Sequence, residues 1–326
     1  MAGRGKNGQC RVFFAADIHG SERCFRKWLN AARVYEADVL VFGGDIAGKV
    51  LVPIVANSLG TGYTVSLHGR TVEVETREAL AELQAQLRSA GRYSVVLTQE
   101  EKEHYDGHAK DVAEELFPAA VRGVLTEWVT LAEERLSGWH IPAYIMLGND
   151  DYPDLTEVLL SGQQMVNAED TVVELPGGFE MISLGYSNPT PWNSPRELGE
   201  EALAGRITAM AERLERPDRA VFNLHCPPRG THLDQAALLD ADFRPVVKGG
   251  QVAMTSVGST AVRDAIERYQ PVVGLHGHVH ESPGAQRLGR TLTINPGSEY
   301  GDGVLRGLLL NLDAKRGVRS WQFIQG

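Results

Sequence analysis

Five short apolar runs in this 326-residue chain each end on side chains able to bind a metal ion. Arg11 to Ala16 ends at Asp17-Ile18-His19-Gly20, Val39 to Phe42 at Gly43-Gly44-Asp45, and Ala143 to Leu147 at Gly148-Asn149-Asp150. Ala220 to Leu224 ends at His225, and Pro271 to Leu275 runs into His276-Gly277-His278-Val279-His280. Short runs rich in Val, Ile and Phe, bounded by Gly and charged residues, read as buried strands. In an open α/β sheet, function gathers just beyond the carboxyl ends of such strands. The five endings therefore read together as one dinuclear metal site.

The rest of the chain fits an α/β protein. After Gly20, Phe25, Trp28, Leu29 and Ala32 recur at helical spacing behind Ser21, a fitting N-cap, which gives a βαβ opening. Asp45 and Asn149 are 104 positions apart, far more than a crossover needs. Tyr63 to Thr76 alternates around His68-Gly69 and reads as a β-hairpin. Helical stretches follow at about 77–90 and 100–137, the second expected to break near Pro118. Residues 53–138 thus read as an insertion, of hairpin and helices, inside a single domain spanning 1–326. Its histidines, His68, His104 and His108, and the nearby His140 read as surface groups.

Downstream, a short helix near Asp154 to Leu160 leads to strands at Thr171 to Leu175 and Glu180 to Leu184. The loop Gly185 to Pro195 then ends in Ser194-Pro195 with Glu197 three residues past the serine. This is the signature of a capping box, with a helix expected to start at Pro195. Antiparallel strands are expected at Ala285 to Ile294, Leu305 to Leu312 and Ser320 to Ile324.

The net charge of −10 argues against a broad sequence-independent contact with extended nucleic acid, which needs a basic surface. Three cysteines, Cys10, Cys24 and Cys226, have no framework spacing and suit reduced thiols in a cytoplasmic protein. No segment approaches the ~20 apolar residues of a membrane span, and the polar residues 1–9 read as a loose terminus rather than a signal.

The ligand chemistry follows from residue types. Asp17 and His19, two apart, can reach one cation, and Asp45 offers two oxygens able to bridge two. Asn149 adds an amide oxygen, and His225, His278 and His280 add imidazoles. Mixed nitrogen and oxygen donors without thiolate suit Mn, Fe, Zn, Co or Ni, with manganese the leading expectation. Two such cations ~3.5–4 Å apart acidify a water and clamp the oxygens of an in-line displacement at phosphorus.

The series DIHG, GGD, GND, a lone histidine after a strand and GHVH resembles the calcineurin-like metallophosphoesterase superfamily, and Asn295-Pro296-Gly297-Ser298 adds to the match. The text around the motifs, such as ADVLVFGGDIAGK, GYSNPTPW, HCPPRGTHLD and NPGSEYG, is similar to the Icc-related branch of predicted phosphoesterases. The resemblance implies a four-layer α/β/β/α sandwich of two mixed sheets with two divalent metals at one edge. It assigns Asp17, His19, Asp45 and His280 to one metal, and Asp45, Asn149, His225 and His278 to the other. A metal-bridging hydroxide is the implied nucleophile, and the implied substrate is a small phosphoester.

One position departs from the pattern. Many members carry a histidine after the third-motif asparagine, where this chain has Asp150 followed by Asp151. A carboxylate beside an anionic phosphate repels it unless protonated. The candidates for the acid are therefore Asp150, His232 and His276, the last read more readily as a buried strand histidine. His232 and Asp234 could reach substrate or cap a loop, and Asn188 and Trp192 could line the pocket. Cys226, next to His225, should point away from the site. A phosphodiesterase is the leading expectation. A phosphomonoesterase or protein phosphatase, a nuclease of short oligonucleotides or cyclic nucleotides, and a non-catalytic scaffold of the same fold are the alternatives. The insertion leaves a cap over the site and a homodimer contact equally open.

Overall fold

The structure, a computed structural model, describes residues 8–57 and 61–326. Of the N-terminal residues expected to be loose, 1–7 lie outside the described residues, and Gln9 already begins a strand.

Two six-stranded mixed sheets form the body. The first runs Gly317–Gln325, Arg306–Asp313, Gln9–Ala15, Val39–Gly43, Ala143–Met146, Met165–Asn167, with the last four strands parallel. The second runs Gly284–Leu288, Thr291–Asn295, Val273–Leu275, Val221–Leu224, Phe179–Leu184, Val172–Leu175, with the middle four parallel. All five motif strands lie in these parallel stretches, so within each sheet their carboxyl ends leave along one edge.

Side chains alternate across each strand and so supply two cores. Val12, Phe14, Val39 and Val41 face Met181, Val221, Val273, Leu275 and Ile294 between the sheets. Phe13, Leu40, Phe42 and Ile145 face the other way, onto the helices Glu22–Val34 and Phe117–Leu136. There the Phe25 and Trp128 rings stack at 4.3 Å, and Trp28 meets Phe42 edge-on at 5.5 Å. Ile182, Leu184, Phe222 and Leu224 pack on the helices Glu200–Ala211 and Thr260–Tyr269. Burying each such side chain contributes roughly 1.5–3 kcal/mol, which holds the strand ends rigid beneath the site.

Between the second and third motifs stands a four-stranded sheet, ordered Arg70–Val74, Tyr63–Leu67, Val50–Ala56, Arg92–Leu97, with a small core of its own. His68 and Gly69, both at positive φ (51° and 74°), make its hairpin turn. The strand Val50–Ala56 carries Pro53, which has no N–H to donate. It sits opposite Val95 on the parallel side, and the antiparallel partner begins only at Ile54.

Two expectations are corrected. The stretch 100–137 is not one helix bent at Pro118. A helix Gln99–Gly107 ends at His108 (φ −133°, ψ 65°), and the helical run resumes at Ala109 and passes through a π-helical turn, Val112–Leu116, just before Pro118, into Phe117–Leu136. A proline within a helical run removes one backbone donor, and the π-helical turn lies directly N-terminal to it. That last helix belongs to the main core through Val121, Leu125 and Trp128. Nor does a helix start at Pro195: it spans Glu200–Ala211, behind Gly199. Half of the capping box forms, with Ser194 N donating to Glu197 Oε1 at 2.8 Å, but the Ser194 hydroxyl is drawn to Asp150 instead. The Arg196 backbone N–H meanwhile donates to the carbonyl of Asn149, so 194–197 stays a non-helical brace against the third motif.

Candidate metal centre

The motif loops bend sharply as they leave their strands. Asp17, His19, Asp45 and His278 all hold left-handed backbone, with φ of 56°, 40°, 56° and 67°. Non-glycine residues in this region cost on the order of 1–3 kcal/mol each, and they concentrate where side-chain direction matters more than local comfort. Glycines make the packing feasible. A Cβ on Gly148 would lie 2.0 Å from Asp45 Oδ1, and one on Gly277 2.2 Å from Asp17 Oδ2.

The seven expected ligands converge. Asp45 Oδ2 lies 3.6 Å from His19 Nε2 on one side and 3.4 Å from His225 Nε2 on the other. Around the first position, His19 Nε2 and His280 Nε2 are 3.0 Å apart, and His280 Nε2 is 3.4 Å from Asp17 Oδ1. Around the second, Asn149 Oδ1 stands 3.0 Å from His225 Nε2 and 2.7 Å from His278 Nδ1. Asp17, His19, Asp45, Asn149 and His225 are buried, while His278 and His280 are half-buried and lie at the open side.

Other groups aim these ligands. His225 Nδ1 lies 2.7 Å from the Gly43 carbonyl, so the ring donates there and keeps Nε2 free. Asp17 accepts the His278 N–H at both oxygens, 3.0 and 3.1 Å, and Asp45 Oδ1 accepts the Asp150 N–H at 3.0 Å. The Asn295 amide donates to the carbonyls of Gly277 (3.3 Å) and Val279 (2.9 Å), and Ser298 Oγ donates to that of Asp17 (2.6 Å). The segment Asn295 to Ser298 therefore braces the first and last motifs.

The charge balance asks for cations. Two fully buried carboxylates, Asp17 and Asp45, face each other across the rings, and buried charge is costly unless paired. Burial alone would lower the pKa of His225, yet Asp45 and Asp17 push it up to about 9. Burial holds His19 and His278 down to about 4, in the neutral form that ligates. A donor set of imidazole, carboxylate and amide oxygen, with two ring nitrogens 3.0 Å apart, fits divalent cations.

The remaining candidates are placed as follows. Asp150 is at the site, accepting from Ser194 Oγ at 2.6 Å and Asn149 Nδ2 at 3.0 Å, and pairing with Lys49. His276 is fully buried, with Nδ1 2.7 Å from the Leu224 carbonyl, and burial lowers its pKa to about 4. His232 is exposed, its backbone donating to Gln286 and its ring beside Gly284. Asp234 is a buried loop cap, accepting from the N–H groups of Gly230, Thr231 and Gly258. Asn188 joins Cys226 Sγ to the Val257 carbonyl, and Trp192 is exposed and stacked on Phe243 at 5.2 Å. The three cysteines are buried and unbridged. Among the described residues, no helix is long and apolar enough to cross a membrane.

Four residues at the site escaped the sequence reading. Buried Asp151 accepts from Ile46 N (3.1 Å), Ala47 N (2.8 Å) and Gly148 N (2.7 Å), tying the second motif loop to the third. Arg196 holds the Gly148 carbonyl and pairs with Glu169. Tyr300 lies against the rings of His19 and His280, at 4.7 and 6.0 Å. Lys49 reaches Asp150 from four residues past Asp45. A charged residue so close behind a motif aspartate is the signal that could have singled it out.

No protein-family model matches the chain. An uncharacterized protein of Methanocaldococcus jannaschii is 27% identical over 152 residues, which cover 46% of this chain and 61% of that protein's length. The crystal structure of TT1561 of Thermus thermophilus is similar at a TM-score of 0.51 and 13% identity, over 97% of this chain and 98% of that one. A further crystal structure reaches a TM-score of 0.54 at 16% identity, over 97% and 99% of the two chains. These likenesses show the fold. In this fold, paired mixed sheets bring the DIHG, GGD, GND, lone-histidine and GHVH segments together at their edge.

Proposed function

We propose that this chain is a metal-dependent phosphoric ester hydrolase holding two divalent cations, and that it prefers phosphodiesters to monoesters. The observation that carries the reading is the position of Asp45 Oδ2 between His19 at 3.6 Å and His225 at 3.4 Å, as one carboxylate shared by two sites requires. Asp17, His19, Asp45 and His280 hold one cation, and Asp45, Asn149, His225 and His278 the other. Manganese is the first metal to try, since the donors are nitrogen and oxygen without thiolate. The fold is read as a four-layer α/β/β/α sandwich, the two sheets packed face to face with helices outside.

Bound cations would supply Lewis acidity and neutralise charge on the phosphoryl oxygens. The chain's own groups do the rest. Asp17, fixed by the His278 N–H, and His225, fixed by the Gly43 carbonyl, keep their donor atoms aimed inward without reorganisation. His278 and His280 sit at the open side, where substrate enters. His276 has no route to substrate, because its ring is sealed beneath the motif. The segment 53–138 flanks the site as a cap: Tyr93 OH accepts from Gly48 N at 2.8 Å, and a Cβ on Gly91 would meet the His19 carbonyl at 2.2 Å. The three unbridged cysteines support a cytoplasmic setting.

The test is metal analysis of the purified protein, followed by turnover of bis-p-nitrophenyl phosphate and p-nitrophenyl phosphate with added Mn²⁺. Faster monoester turnover would reverse the diester preference. No hydrolysis of any phosphoester by metal-replete protein would leave a binding protein of the same fold.

A further inference from the structure

Asp150 occupies the place after the third-motif asparagine, yet its carboxylate is not free to meet a phosphate. Ser194 Oγ donates to one oxygen at 2.6 Å, Asn149 Nδ2 donates to the same oxygen at 3.0 Å, and Lys49 Nζ pairs with the other. Three donors converge on it, so its task is to hold them.

What it holds toward the site is a cation. Lys49 stands four residues past Asp45, on a loop fixed at three successive backbone N–H groups. Asp151 accepts from Ile46 and Ala47, and Tyr93 OH accepts from Gly48 at 2.8 Å. The Lys49 side chain is 46% exposed, so its ammonium is anchored on one side by Asp150 and open to solvent on the other. Its charge is felt by Asp45, His19 and His280, on which it acts electrostatically. Arg196, by contrast, is buried and committed to Glu169 and the Gly148 carbonyl. An ammonium carries three donors, and a single carboxylate partner leaves some of them unused.

We infer that Lys49 is a catalytic residue that donates to an anionic oxygen of the substrate phosphate, and that Asp150 is a positioning residue that acts through Lys49. The inference rests on the phosphoesterase reading for the substrate's identity. Its content is an anion contact, with the ammonium remaining protonated throughout. Asp150 and Lys49 thus act as a pair, Asp150 to hold and Lys49 to touch. The insertion takes part as well, because Tyr93 fixes the loop that carries the lysine.

The experiment uses the metal-loaded full chain and inorganic phosphate as the probe, followed by calorimetric titration, with metal content and thermal midpoint measured for every variant. Lys49→Ala is expected to weaken phosphate binding roughly ten- to hundredfold, the loss of one charge-assisted hydrogen bond, with metal content unchanged. Lys49→Arg should recover part of the loss. Asp150→Asn should weaken phosphate less than Lys49→Ala, and should add nothing in the Lys49→Ala background. A purely structural aspartate would instead give additive losses there. Unchanged phosphate affinity in a folded, metal-replete Lys49→Ala protein would overturn the inference, as would additivity in the double variant. Ester turnover by the unaltered protein tests the phosphoesterase reading separately, so the two can fail independently.

Discussion

The guanidinium of Arg196 donates at 3.1 Å to the carbonyl of Gly148, the residue just before the candidate ligand Asn149. The same side chain pairs with Glu169, whose Oε1 also accepts from Gly185 N at 2.9 Å, and it stacks over the Tyr186 ring at 4.2 Å. A buried ion pair thus ties the third motif of the first sheet to the end of a second-sheet strand, Phe179–Leu184. Asn149 is thus steadied through its neighbour by a bond network that spans both sheets.

Arg196→Ala leaves Glu169 buried without its partner, for which the expected loss is about 3–5 kcal/mol. The Gly148 carbonyl also loses its donor, so Asn149 is released and metal occupancy should fall along with the thermal midpoint. Denaturation together with metal analysis checks both. A variant that is destabilised yet fully metallated would show that Arg196 supports the fold without aiming Asn149.

Two glycines are predicted to be irreplaceable for steric reasons. In Gly148→Ala the new Cβ collides with Asp45 Oδ1 at 2.0 Å, and in Gly277→Ala with Asp17 Oδ2 at 2.2 Å. Either collision displaces a carboxylate, so both variants should bind metal poorly and lose most activity. Gly205→Ala is the contrast. It lies within the helix Glu200–Ala211 with open space at its Cβ, and should raise stability by roughly 0.5–1 kcal/mol. Normal metal content in Gly148→Ala would refute the close approach.

How much of this was legible beforehand follows from what each residue bonds to. The seven candidate metal-binding positions show in the sequence because their chemistry is written in residue type and their location in where apolar runs stop. Asp151, Arg196 and Lys49 do not, because their partners are backbone groups or single side chains far along the chain, such as Ile46, Ala47 and Gly148 for Asp151. Local pattern also misleads where tertiary bonding prevails. Ser194 has the right neighbours for an N-cap, but its hydroxyl goes to Asp150 and the helix waits until Glu200. The strand Val50–Ala56 was hidden by Pro53, which argues against a strand except where one side lacks a partner, as it does there.

Removing the metals should make stability depend on pH above neutrality. His225 folds with a pKa of about 9: burial opposes the charge, but Asp45 and Asp17 outweigh it. Its unfolded value is about 6.5. A raised folded pKa contributes stability that is complete below about pH 6.5 and is lost as pH climbs to about 9, on the order of 3 kcal/mol. His280, raised as well, acts in the same sense. Asp151, raised to about 7 by burial and by Asp45, has lost its contribution by about neutrality. His19 and His278, lowered to about 4, act oppositely, but only below about pH 6.5. The thermal midpoint of chelator-treated protein should therefore fall between pH 6.5 and 9. Metal affinity should rise over the same range, since His225 must shed its proton to ligate. A flat midpoint in that window would contradict an imidazolium between Asp45 and Asp17.

Asp151 poses the sharpest question about how the second and third motifs are coupled. Its two oxygens accept from Ile46, Ala47 and Gly148 with no exposure to solvent, so three backbone donors on two loops depend on one carboxyl group. Asp151→Asn keeps the shape but exchanges one acceptor oxygen for a donor amide, which points N–H at N–H. Each stranded donor costs about 1–3 kcal/mol, so the substitution should be strongly destabilising despite its conservative size. Asp151→Ala removes the repulsion but leaves all three donors unmet. Because Ile46 follows Asp45 and Gly148 precedes Asn149, the loops should part in both variants, and the metal site that takes Asp45 together with Asn149 should empty first. Metal stoichiometry falling from two toward one per chain before global unfolding is the expected signature. Simultaneous loss of both metals only at the unfolding transition would show that Asp151 serves the fold as a whole rather than the junction between these two ligands.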